Sequence, residues 1–167
     1  MKVKLLAKTA TLASIAVIAG IIESYFPPIL AFAPGVRLGL SNVVVLFALI
    51  TCGLPSATAV TVVKVILVAL FSGNPTAIMY SAPASLASLV VSYVLIRFTL
   101  TKISVITVSC ISAITHNCVQ LIVASLIASA NLFAVVPLTL IASLIAGYGV
   151  GVIVYIAIKK LPEKIIG

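Results

Sequence analysis

The chain has 167 residues, 63% of them hydrophobic and 7% charged, and carries a net charge of +8. Soluble domains carry about 25% charged residues, so this composition, with a mean hydropathy of +1.43, excludes one. The basicity does not point to nucleic acid, because the lysines and arginines sit almost entirely at the ends of apolar runs, where they orient a membrane protein.

Allowing for short loops, the length holds about six spans of roughly 20 residues each. The expected fold is all-α: a six-transmembrane-helix integral bundle forming one domain over residues 1–167. Its helices are expected at about 5–26, 38–53, 55–71, 78–98, 105–130 and 133–158.

In the first span, alanines at 7, 10, 13, 16 and 19 recur every third residue, a stripe that lets a helix of the bundle or of a partner approach closely. Lys2, Lys4 and Lys8 before an apolar run, with Ala31-Phe32-Ala33 behind it, imitate a signal peptide. Cleavage would fall directly before Pro34, and Glu23 interrupts the run, so a retained helix is expected. Pro27 and Pro28 end it.

The stretch Pro34-Gly35-Val36-Arg37-Leu38-Gly39-Leu40-Ser41-Asn42 places an arginine on broken backbone beside a membrane-length apolar run. Such a cation is costly unless it has something to bind. Ser41 or Asn42 is the expected cap of the second span. Pro55 opens the third at a first-turn position, and Ser72-Gly73-Asn74-Pro75 is a turn. In the fourth, Ser81, Ser85 and Ser88 put hydroxyls on nearby faces for packing. The fifth carries Thr115-His116-Asn117 and Gln120. Asn131 is the expected cap of the sixth, where Gly147-Tyr148-Gly149-Val150-Gly151 offers a close-packing face.

Lys2, Lys4 and Lys8, then Arg97 and Lys102, then Lys159, Lys160 and Lys164 occupy three places that share one side in a six-span protein. The positive-inside rule makes that side cytoplasmic, which puts both termini inside and the protein in the cytoplasmic (inner) membrane as a multi-pass protein. Glu23 and Arg37 then lie toward the outer surface, with Asn42, Asn74, Tyr80 and Ser81. Lys64 lies near the midplane, and His116 near the middle of its span. His116 and Gln120, four apart, share a helix face.

Glu23 offsets one of Arg37 and Lys64, and an anion bound between those two cations would complete the pairing. The alternative arrangement pairs Glu23 with Arg37 and lets Lys64 snorkel or bond backbone carbonyls. His116, Asn117 and Gln120 are candidate donors and acceptors for a polar head group. An enzyme is not expected. The two acidic residues are Glu23 and Glu163, which removes an aspartate-rich magnesium site and Walker-type nucleotide chemistry. One histidine excludes a multi-histidine metal site, and no cofactor is expected. Cys52, Cys110 and Cys118 act as small apolar residues.

The Pro34–Asn42 stretch, Lys64, Ser72-Gly73-Asn74 with Tyr80-Ser81, and Thr115-His116-Asn117 with Gln120-Leu121 resemble the Gx transporter family, also labelled heptaprenyl diphosphate synthase component I. That family resembles the substrate-binding S components of energy-coupling factor (ECF) transporters: six-helix proteins with an outward-facing pocket, partnered by a coupling subunit and two ATPases. The resemblance implies capture of a small anionic or amphipathic molecule from the outer side, without ATP hydrolysis in this chain. The candidate binding residues are Glu23, Arg37, Asn42, Lys64, Asn74, Tyr80, His116, Asn117 and Gln120. The alternative is a non-transporting membrane component of isoprenoid or quinone metabolism or of extracellular electron transfer.

Overall fold

The computed structural model describes residues 2–25, 39–99, 103–129 and 133–160. Over these residues the chain forms six α-helices and no strand: α1 (Lys2–Tyr25), α2 (Leu40–Cys52), α3 (Leu54–Phe71), α4 (Ala77–Thr99), α5 (Val105–Ala128) and α6 (Val136–Lys159). A short 3-10 turn, Phe133–Val135, leads into α6. Five helices are long and apolar enough to cross a membrane. The exception is α2, whose 13 residues rise only about 20 Å against roughly 30 Å of hydrocarbon.

α1, α3, α4, α5 and α6 pack against one another in that order, and α2 touches α1, α3, α4 and α6. Its short length is tolerable because its surroundings are protein. Val44, Val45, Leu46, Ala48 and Leu49 of α2 are buried, and they join Ala16, Ala57, Val60, Val108 and Val154 in the core. The large side chains turned outward are also apolar: Ile15, Ile18 and Ile22 on α1, Ile66 and Leu70 on α3, Ile141 and Ile145 on α6. A soluble protein would lose stability by exposing such faces, whereas lipid accepts them without cost. The alanine stripe of α1 divides between these two environments. Ala13 and Ala16 are buried in the bundle, while Ala7 and Ala10 are exposed.

The helix ends follow local chemistry with two corrections. Pro55 stands in the first turn of α3 as its fixed φ favours. The Ser72–Pro75 turn closes α3 through Ser72 N–H to the Val68 carbonyl (2.9 Å) and Asn74 N–H to the Ala69 carbonyl (3.1 Å). The cap of α2, however, is neither Ser41 nor Asn42. It is Gly39, at φ 78°, a left-handed conformation in which a Cβ would be strained. Ser41 and Asn42 fall inside the first turn, where their side chains are free for other partners. Asn131 lies outside the described residues, and Val135 holds the cap position of α6 without a side-chain hydrogen bond, because the 3-10 turn carries the chain directly into the helix.

α5 and α6 approach most closely at Gly147 and Gly151. A Cβ on Gly147 would lie 2.7 Å from the Cys110 Cα, and one on Gly151 2.7 Å from the Ile106 Cα. Backbone cannot yield as a flexible side-chain tip can. Gly149, between them, has nothing within 4 Å of its would-be Cβ. Gly151→Ala should therefore destabilise the protein by about 1–3 kcal/mol through overpacking. Gly149→Ala should be neutral or gain up to about 1 kcal/mol of helix propensity. Thermal unfolding of the two variants in mild detergent checks this difference in sign.

Candidate functional site

All six helices contribute to one cavity, with about 910 Å3 of atom-free space including its mouth. It lies toward the end of the bundle where α1 and α3 finish and α2 and α4 begin. The exposed lysines and arginine that close the bundle, Lys4, Lys8, Arg97, Lys159 and Lys160, sit at the opposite end. Each helix that reaches the cavity brings small or polar side chains to it, beside the aliphatic Leu46, Val65, Val68 and Val150.

Lys64 is the centre of this arrangement. It falls near the middle of α3, is only 6% exposed, and lines the cavity. Its Nζ donates to Asn42 Oδ1 at 2.9 Å. Asn42 can reach it because α2 starts at Leu40, inside the bundle, so that its first turn stands opposite the middle of α3. An amide oxygen accepting from an ammonium group is a charge-assisted bond, roughly twice as strong as a neutral one.

Glu23, near the end of α1, is the one carboxylate among the described residues and is 5% exposed. Its Oε1 accepts the backbone N–H of Gly39. The carboxylate thus stands at the amino end of α2, where unsatisfied amides and the helix dipole give partial positive charge. It ties α1 to the entry of α2 and answers the local positive potential. That hydrogen bond is with the scaffold, and the side chain also faces the cavity.

From α5, His116, Asn117 and Gln120 all line the cavity. Asn117 is engaged across α5 and α6: its Nδ2 donates to Ser143 Oγ at 2.7 Å, and Ser143 Oγ donates to the Thr139 carbonyl at 2.6 Å. Gln120 is 5% exposed, and its amide makes no hydrogen bond among the described residues. It is a buried polar group turned toward the cavity, and such groups normally have a partner.

The structure thus brings together Glu23, Asn42, Lys64, His116, Asn117 and Gln120. Two other sequence candidates stand apart. Asn74 is exposed in the α3–α4 turn, where its Oδ1 accepts from Thr76 Oγ1 at 2.6 Å, and Tyr80 is half-buried on α4. Neither is among the cavity-lining residues. Arg37 lies outside the described residues.

The sequence reading did not assign ligand-facing roles to Ser41, Ser85, Ser109 and Ser112, all of which line the cavity. The spacing of Ser81, Ser85, Ser88 and Ser92 on α4 carried a signal, since steps of four, three and four keep them on one face. Packing is only half of what that face does. Ser92 and Ser112 hydroxyls meet at 2.8 Å across α4 and α5, whereas Ser81 and Ser85 open onto the cavity.

The Asn42–Lys64 bond predicts a double-mutant signature. Asn42→Ala removes an acceptor from a buried ammonium and should cost about 1–3 kcal/mol. Adding Lys64→Met, which removes the charge and keeps the length of the side chain, should restore most of that loss. Thermal unfolding of the two single variants and the double variant measures the coupling.

The family model described as heptaprenyl diphosphate synthase component I matches residues 12–156. No curated protein and no solved structure matches the chain.

Proposed function

Since the chain belongs to the heptaprenyl diphosphate synthase component I family and is a multi-pass helical membrane protein, we propose that it is a substrate-binding membrane receptor of the S-component type. It captures a small anionic or amphipathic molecule in the cavity around Lys64. The observation that carries this reading is a buried ammonium facing a cavity lined by all six helices in an otherwise apolar bundle. Lys64 bonds Asn42 and shares the cavity with the Glu23 carboxylate, and a bound anion would add to the partners of a charge held so deep.

The positive-inside rule supports an inner-membrane orientation with the basic end of the bundle in the cytoplasm and the cavity toward the outer side. Arg37, two positions before Gly39 in the sequence, is the second cation proposed for the ligand. The reading assigns no catalysis to this chain. The synthase in the family's description is then understood as a complex in which component I is a membrane partner. ATP-driven uptake would require a separate coupling subunit and ATPases.

The protein purified in mild detergent should release a bound small molecule on denaturation, identified by mass spectrometry. Lys64→Met should weaken retention about 10- to 100-fold, the loss expected for a hydrogen bond to a charged group, while the thermal transition remains cooperative. Retention unchanged in Lys64→Met and in Arg37→Ala would sink the charge argument.

A further inference from the structure

Three carboxamides line the cavity: Asn42 from α2, and Asn117 and Gln120 from α5. The Asn42 oxygen accepts from the Lys64 ammonium at 2.9 Å. The Asn117 nitrogen donates to Ser143 Oγ at 2.7 Å and fastens α5 to α6. Gln120 is buried, only 5% exposed, yet neither its oxygen nor its nitrogen makes a hydrogen bond among the described residues. Two of the three amides are built into the scaffold, and the third is not.

The register of α5 aims Gln120 at the cavity. The residues of this helix that line the wall, at 109, 112, 113, 116, 117 and 120, recur at the spacing of one helix face. Gln120 is the last of them, one turn beyond His116 toward the end of the bundle where α1 and α3 finish. A buried amide without a partner is destabilising, and lipid offers it none. Methionine at this place would pack without that penalty. Glutamine here is a cost that an occupant of the cavity removes.

The amide also defines what answers it. Its oxygen accepts and its nitrogen donates, side by side in one plane. A carbonyl flanked by an N–H meets both at once, as in an amide, a lactam, a ureido group or the edge of an oxo-heterocycle. A hydroxyl engages one side at a time. A quinone carbonyl or a diphosphate oxygen meets only the nitrogen, and a hydrocarbon meets neither.

We infer, resting on the receptor reading above, that Gln120 selects the ligand, and that the ligand carries a carbonyl flanked by an N–H which pairs with the Gln120 amide. A site built on such a pair discriminates strongly, because an analogue without the group leaves the amide buried and unanswered.

Gln120→Met keeps the length of the side chain and removes both polar atoms. In full-length protein washed in detergent until it releases no small molecule, this variant should raise the transition temperature by about 2–4 °C, whereas Asn117→Ala should lower it. Mass spectrometry of the molecule released from unwashed protein on denaturation identifies the ligand. Gln120→Met should retain it about 5- to 100-fold less than wild type. Where wild type purifies empty, uracil and nicotinamide are the probes, set against 1,3-dimethyluracil and N,N-diethylnicotinamide, which lack the N–H. A released molecule with the paired N–H and carbonyl supports the inference. So does stabilisation by uracil or nicotinamide and not by its alkylated counterpart. A lower transition in washed Gln120→Met overturns it, because the amide then holds the scaffold. A released molecule without that pair, or one that Gln120→Met retains as wild type does, overturns it and leaves the receptor reading standing. A wild type that releases nothing and that neither probe stabilises overturns both.

Discussion

An ammonium group in the middle of a bilayer-length helix has to be answered by its surroundings, and the interior of this protein is arranged around that demand. Lys64 cannot reach water easily from its place on α3, and each element near it contributes something polar. α2 begins inside the bundle and brings Asn42 to it. α1 ends with a carboxylate that holds the entry of α2 in place. α4 and α5 turn serines, a histidine and a glutamine toward the same space. In lipid, unlike water, none of these groups can be satisfied by the surrounding medium, so they converge on one protein-lined cavity.

The opposite wall is built on another principle. α5 and α6 meet through Gly147 and Gly151 with backbone nearly touching backbone. Such contacts gain from dispersion and close fit, since lipid gives no hydrophobic drive for helices to associate. Asn117 and Ser143 then clamp the same pair of helices with a side-chain hydrogen bond. α5 therefore has one face fixed to α6 and another facing the cavity, which keeps His116 and Gln120 on a firm support. Such support is the preorganisation that the proposed binding role calls for.

Much of this was readable from the chain itself, and the misses have a common cause. The depth of Lys64, the shared face of His116 and Gln120, the Ser72–Pro75 turn and the Gly147/Gly151 pair all depend on helix geometry and local residue chemistry, which the sequence carries. Besides being a binding candidate, Asn42 shared with Ser41 the expectation of a cap, because asparagine and serine near a helix start usually bond the first-turn amides. Here a buried ammonium 22 positions away competes for the same oxygen and wins, because a charge-assisted bond is the stronger. Ser85 and Ser109 were open to the same ambiguity. A serine in a membrane helix can bond its own backbone, a neighbouring helix or a cavity, and only the tertiary arrangement decides among them. Asn74 shows the converse: its turn was legible, but that turn stands apart from the cavity.

The brevity of α2 bears on how the protein is made. A helix rising about 20 Å cannot hold a transmembrane position alone in roughly 30 Å of hydrocarbon. Its first turn would also expose polar groups and unsatisfied amides to lipid. During synthesis it must therefore wait at the membrane surface or within the insertion machinery until neighbouring helices receive it. Glu23 and Lys64, one on the helix made before it and one on the helix made after, hold its entry and first turn in the bundle. The cavity is consequently a late product of assembly: no pair of successive helices contains it, and it comes into being only when α2 is seated.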